Sequence, residues 1–150
     1  MAPPTPSQVR NRRRVESVGA ACGDAVDERI VHGDLYEGQV LVGADQSLGL
    51  VDLDDVGPGD PALDAATFCA HLLALAASAG APAGRILRYR DHLRTAFLGR
   101  LAVHPRALAW REAYAMLLLA PGPVRVLPPE WERQVATRVE FAQRLLADGC

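Results

Sequence analysis

The chain has 150 residues, the size of one domain, and 49% of it is hydrophobic, enough for a packed core. Its formal net charge of −2 gives no global field toward nucleic acid or an anionic membrane. All sixteen basic residues are Arg, which excludes a P-loop lysine, a Schiff-base lysine or a lysine phosphate clamp supplied by this chain. The charge is unevenly spread. Between Asp24 and Asp64 stand eleven acids against one base, Arg29. Such an acidic block points to a cation site or a self-repelling surface, not to a nucleic-acid groove. Cys22, Cys69 and Cys150 are far apart and form no CxxC pair, so neither a disulfide framework nor a zinc site is expected.

In chain order, residues 1–14 are Pro-rich and then Arg-rich. They read as a disordered tail with Arg12-Arg13-Arg14 solvated, and they lack the apolar core of a secretory signal, so a cytoplasmic protein is expected. Residues 15–28 are ambiguous, with a short helix as the best reading. Residues 29–33 (RIVHG), 39–43 (QVLVG) and 48–53 (LGLVDL) read as strands, the last two joined into a hairpin by the polar turn 44–47. Gly57-Pro58-Gly59 breaks the chain. Asp60 before Pro61 is a helix N-cap with Pro at the first helical position.

The remainder is helical. Phe68, His71, Leu72 and Leu75 lie on one face of 61–79, which makes His71 a core histidine on this reading. Ile86, Tyr89, Arg90, Leu93, Phe97 and Leu101 do the same for 83–101. A third helix runs from Pro105 to about Ala120 and is stopped by Pro121-Gly122-Pro123. The last follows Pro128-Pro129, with Trp131, Val135, Val139 and Ala142 on one side. His92 and His104 read as surface residues, and Trp110 and Trp131 as core. The uncharged run 65–84 is too rich in Ala, Ser and Gly to span a membrane comfortably, so a buried helix is expected. The fold class is therefore α+β and mainly helical, a short β-hairpin followed by about four helices.

Chemistry concentrates in Val31-His32-Gly33-Asp34-Leu35-Tyr36-Glu37-Gly38-Gln39 and Val51-Asp52-Leu53-Asp54-Asp55. Phosphoryl transfer needs a carboxylate to orient the acceptor hydroxyl and take its proton, and oxygen ligands for the Mg²⁺ that accompanies ATP. A loop between strands presents a carboxylate, Asp34, and five residues later an amide oxygen, Gln39. The end of the hairpin delivers a second carboxylate, Asp52. Tyr36 and Glu37 stand beside the first, within reach of a substrate or of solvent.

These segments resemble the aminoglycoside phosphotransferase family. HGDLYEGQ looks like its HxDxxxxN catalytic loop, and VDLDDVGPGDPALDAA like its metal-binding segment followed by GDP and a helix; the likeness runs over about 29–147. The resemblance implies a protein-kinase-like C-terminal lobe over 15–150 that serves ATP-dependent transfer of a phosphoryl group to a small-molecule hydroxyl. It implies Asp34 as the catalytic base and Asp52 as the chief Mg²⁺ ligand. Gln39 falls where the family has Asn, as the second metal contact with one extra methylene. His32 packs under the catalytic turn, Asp54 supports the metal site, and Asp60 caps the helix and braces the loop. No membrane or nucleic-acid partner is implied.

A complete family member carries an N-terminal lobe with a Lys for the phosphates. Here 31 residues precede His32 and none is Lys. The expectation is a truncated lobe, inactive alone, that meets nucleotide only if an N-lobe is supplied and leaves Val15, Val18, Ile30 and Val40 short of cover. Two alternatives stand beside it. One is a non-catalytic remnant or interaction module of the same fold. The other is a haloacid-dehalogenase-type phosphatase, whose DxDx[TV] motif Asp52-Leu53-Asp54-Asp55-Val56 resembles.

Overall fold

A computed structural model describes residues 28–148. The tail expected at 1–14, the element expected at 15–28 except Glu28, and Val15, Val18, Cys22 and Cys150 lie outside the described residues. Four short strands come first: β1 (Arg29–Val31), β2 (Val40–Val42), β3 (Leu48–Leu50) and β4 (Gly57–Gly59). Helices α1 (Pro61–Ser78), α2 (Ala83–Leu101), α3 (Pro105–Leu119), α4 (Gly122–Val126) and α5 (Trp131–Asp148) follow. The architecture is α+β and mainly helical, with a short hairpin.

β2 and β3 form the hairpin, with Val40 opposite Leu50 and Val42 opposite Leu48. Its turn is held by Gly43 N–H donating to Ser47 O (2.8 Å) and by Ser47 N–H donating to Asp45 Oδ1 (3.1 Å), an Asx-type turn. One element departs from the sequence reading. Gly57-Pro58-Gly59, read as a chain break, is β4 and pairs antiparallel with β1, Arg29 opposite Gly59 and Val31 opposite Gly57. Only Gly fits at 59, because a Cβ there would come within 2.6 Å of Val31 Cγ2. Pro58 is tolerated because a two-stranded pair has only edges. The outer pair thus closes a loop around the hairpin.

α1 is capped by Asp60, whose Oδ1 accepts from Ala62 N–H at 2.9 Å, and Pro61 opens it. Its small side chains let α2 and α3 pack along it, and α3 in turn packs on α5. Ala70, Ala113, Ala115, Met116 and Ala142 form the core cluster, flanked by Leu73, Leu119, Phe141 and Leu145. α1 is long and apolar enough to cross a membrane by length and composition. Its buried Ala65, Ala66, Cys69, Ala70 and Leu72 nonetheless mark it as the central helix of a layered core. The expected α2 face is only half-buried and Tyr89 is exposed, because α2 lies at the periphery against α1. The Pro121-Gly122-Pro123 stop is followed at once by the single short helix α4.

Two buried ionic clusters join the helices. Arg111 of α3 donates from Nε to Asp60 Oδ2 (2.6 Å) and from Nη1 to Ala107 O (3.0 Å). Next to it, Glu112 is fully buried and accepts from Arg90 (2.8 Å) and Arg94 (2.9 Å) of α2. Buried charges persist only when paired and hydrogen-bonded, and both clusters meet that condition.

Candidate active site

The chain from β1 to β2 turns back through Gly33, whose φ of +88° is readily adopted only without a Cβ. Asp34 follows immediately and is exposed. A single 3-10 turn over Glu37–Gln39, closed by Gln39 N–H to Tyr36 O (3.0 Å), brings Gln39 inward and buries it. On the other side of the hairpin, Asp52 has a left-handed backbone (φ 59°, ψ 60°) and starts the 3-10 turn Leu53–Asp55. Asp is among the few side chains that enter this region at small cost.

The structure joins these two segments directly. Gln39 Nε2 donates to Asp52 Oδ2 at 2.9 Å, and Val51 N–H donates to Gln39 O at 3.1 Å. The ring of His32, itself buried, meets Val51 O through Nε2 at 2.9 Å. The protonated nitrogen in that bond must be Nε2, since a carbonyl only accepts. His32 therefore ties the turn before Asp34 to the residue before Asp52. Asp54 is exposed at the rim of the second turn.

Asp60 is set apart from this group. It caps α1 and pairs with Arg111, and its bonds run to the helices. The brace to the loop is Asp64, one helical turn further on, which the sequence reading did not single out. Its Oδ2 accepts from His32 N–H (2.7 Å) and its Oδ1 from Gly33 N–H (3.0 Å). Burial pushes the Asp64 carboxyl up; the two amide bonds pull it down, and the charge of Asp34 adds to the rise. The signal was present in the quoted segment GDPALDAA: an acid in the first turn of a helix is placed to accept from backbone amides at that end.

His71, expected in the core, is instead half-buried against the loop. It stacks on Tyr36 with ring centroids 4.5 Å apart and 19° between planes, and its Nδ1 lies 3.9 Å from Glu37 Oε2. Burial lowers its pKa; Glu37 and Asp34 act the other way, and Arg138 reinforces the fall. The 3.6-residue period placed His71 on α1 correctly but assigned it to the wrong stripe. Asp64, Thr67, His71, Ala74 and Ser78 share a second stripe, and that stripe faces the loop and α5.

Chemically, the site offers one exposed carboxylate on a glycine turn, and a carboxylate and an amide in contact across a hairpin. Among the described residues no three His, Cys, Asp or Glu side chains gather as a metal cluster. One or two carboxylates with oxygen donors from substrate and water suffice for Mg²⁺, which seldom occupies an all-protein cage. The bond from Gln39 engages only Oδ2 of Asp52, so hard oxygen donors of the type Mg²⁺ takes remain, and the residues fit the ion.

A family model described as phosphotransferase enzyme family matches residues 5–110. No curated protein and no solved structure matches the chain. The family match contains the loop, the hairpin, α1 and α2, and ends within α3.

Proposed function

The chain belongs to the phosphotransferase enzyme family, and from that premise we propose that it carries the base and the metal ligands for Mg–ATP-dependent phosphoryl transfer to a hydroxyl of a small molecule. The observation that carries this reading is the contact of Gln39 with Asp52, tied by His32 to the turn that presents Asp34. Asp34 orients the acceptor hydroxyl and receives its proton as the oxygen attacks. Asp52 and the Gln39 amide oxygen would hold Mg²⁺, which when bound would neutralise charge on the transferring phosphoryl group. Asp64 and His32 keep the loop in place, so that positioning costs little at the moment of reaction. Among the described residues the two strand pairs are antiparallel, which favours this reading over a haloacid-dehalogenase-type nucleophile, placed on a parallel sheet.

Because the 150 residues contain no Lys, the grip on the α- and β-phosphates comes from outside them on this reading. The chain alone then binds Mg–ATP weakly and transfers phosphate at a negligible rate, until a nucleotide-gripping lobe is supplied in trans. The missing Lys also favours a second reading, a non-catalytic module of the same fold. Mn²⁺ titration of the purified chain is the first test: Asp52→Asn should weaken binding by more than about tenfold. In a reconstituted assay with the lobe supplied, Asp34→Ala should abolish transfer. Metal affinity unchanged in Asp52→Asn would overturn the assignment of the site. Reconstituted transfer that survives Asp34→Ala would overturn the role of the base.

A further inference from the structure

A cleft of about 360 Å³ opens between the C-terminal half of α1 and the start of α5. Ala74 and Ser78 line one side; Glu130, Arg133, Gln134, Thr137 and Arg138 line the other. Ala74 and Ser78 continue the α1 stripe that begins at Asp64, under the catalytic loop, and carries His71. Seven residues separate His71 from Ser78, about 10 Å of helix. The cleft is therefore one short molecule's length from the loop, on the same helix face. Arg138 connects the two places, since it lines the cleft and its charge is felt at His71.

The charges at the two ends are opposite. The loop end carries Asp34, Glu37 and Asp64. The cleft carries Arg133, which is paired with Glu130, and Arg138, which donates to the carbonyl of Leu119 at the end of α3. Among the described residues no carboxylate stands within ion-pair distance of Arg138, and burial lowers its pKa with nothing to offset it. A half-buried guanidinium that uses one Nη on a helix-end carbonyl and has no carboxylate partner among the described residues, on the wall of a cleft with hydroxyl and amide neighbours, keeps N–H donors for a carboxylate or phosphate.

Resting on the phosphotransferase reading above, we propose that the α1–α5 cleft docks the acid group of the acceptor, and that the acceptor is a polyhydroxy acid, not a polycationic aminoglycoside. Its acid end sits against Arg138 and Arg133, and its uncharged hydroxyl end, repelled by none of the three loop carboxylates, reaches Asp34. Opposite charges at the two ends fix that orientation. α5 lies beyond the stretch that the family model matches, which makes it a reasonable place for acceptor choice to be written.

Amide NMR titrations of the full chain test this, with sodium gluconate, glucose and kanamycin as acidic, neutral and polycationic probes. Gluconate should shift the amides of Ala74, Ser78, Gln134 and Thr137 saturably, with glucose weaker and kanamycin without effect there. Arg138→Gln should weaken gluconate by about tenfold, the loss of one charge-assisted contact. Arg133→Gln, on an exposed side chain, should weaken it several-fold without disturbing packing. Tighter binding of kanamycin than of gluconate at these amides overturns the proposal, as does gluconate binding indifferent to both substitutions, or no saturable shift at all. Mn²⁺ broadening around Asp52 is read in the same samples. Broadening without gluconate shifts would sink the cleft and leave the phosphotransferase reading; gluconate shifts without broadening would sink the metal assignment and, with it, the acceptor role of the cleft, leaving acid binding alone.

Discussion

Asp52 combines a charge with an unusual backbone, and the two can be separated. Asn enters the left-handed region about as readily as Asp, whereas Ala pays roughly 1–2 kcal/mol there. Asp52→Asn should therefore leave thermal stability nearly unchanged while it weakens metal binding, and Asp52→Ala should diminish both. Paired melting curves and Mn²⁺ titrations check this. His71 gives a second prediction. Its folded-state pKa lies below the ordinary 6.5 because of burial, so the unfolded chain takes up the proton first as pH falls. Stability from this residue is full above about 6.5 and declines as pH drops toward the lower folded value. In His71→Gln that portion of the acid sensitivity should vanish, as urea midpoints measured between pH 7 and pH 5 would reveal. Cys69 gives a third. Burial pushes its thiol up to about 12, so almost no thiolate exists at neutral pH. Iodoacetamide should leave the Cys69 peptide unmodified in the native chain and label it in denaturant, as peptide mass spectrometry would show.

At the scale of elements, α1 carries both the core and the site, and its N-terminus is where the two meet. Asp60 caps the helix and is held by Arg111 from α3 within the core, so the helix start cannot drift from the bundle. Removal of one partner leaves a buried charge unmatched, at a cost of about 3–5 kcal/mol. Arg111→Ala and Asp60→Ala should each lower stability by that amount in urea denaturation. Asp60→Asn with Arg111→Met should recover part of it.

Much of this level was readable from sequence. The caps and prolines bound two helices to within a residue or two, because Asp60-Pro61, Pro105 and Pro121-Gly122-Pro123 act locally. β4 was not readable, because Gly57-Pro58-Gly59 has the composition of a turn, and its pairing depends on the distant Val31. Local motifs likewise brought Gln39 and Asp52 together on paper. Asp64 and His71 escaped because their partners lie about thirty residues away, and periodicity says which side of a helix is apolar without saying what covers it.

For the molecule as a whole, the hairpin is the least protected part. Leu41 (55%), Val42 (70%), Leu48 (75%) and Leu50 (52%) are exposed, and Ile30 (73%) with them, while Val40 is half-buried. No other described element covers that strip, and an apolar edge of this kind promotes association. Val42→Lys with Leu48→Glu, a cross-strand pair in register, should replace apolar contact by opposite charges. The double variant should sediment as monomer at concentrations where the parent chain associates.

The closure of β1 on β4 also bears on the order in which the chain assembles. Its partners are 26 to 30 positions apart, and loop-closure entropy must be met before such contacts return anything. The bundle also joins distant positions, Asp60 and Arg111 being 51 apart, but its helices form locally and their docking buries the apolar core, which strand pairs of three residues do not. The helices therefore reach their places first, and the segment 29–59 seals last, when Asp64 on a finished α1 captures the amides of His32 and Gly33. The reverse follows on the way out. Residues 29–59 can come apart while α1, α3 and α5 stay packed, giving a folded bundle whose candidate site is dismantled. Hydrogen exchange would register this as two tiers of protection, with the amides of His32, Gly33 and Val51 exchanging well ahead of those in α1.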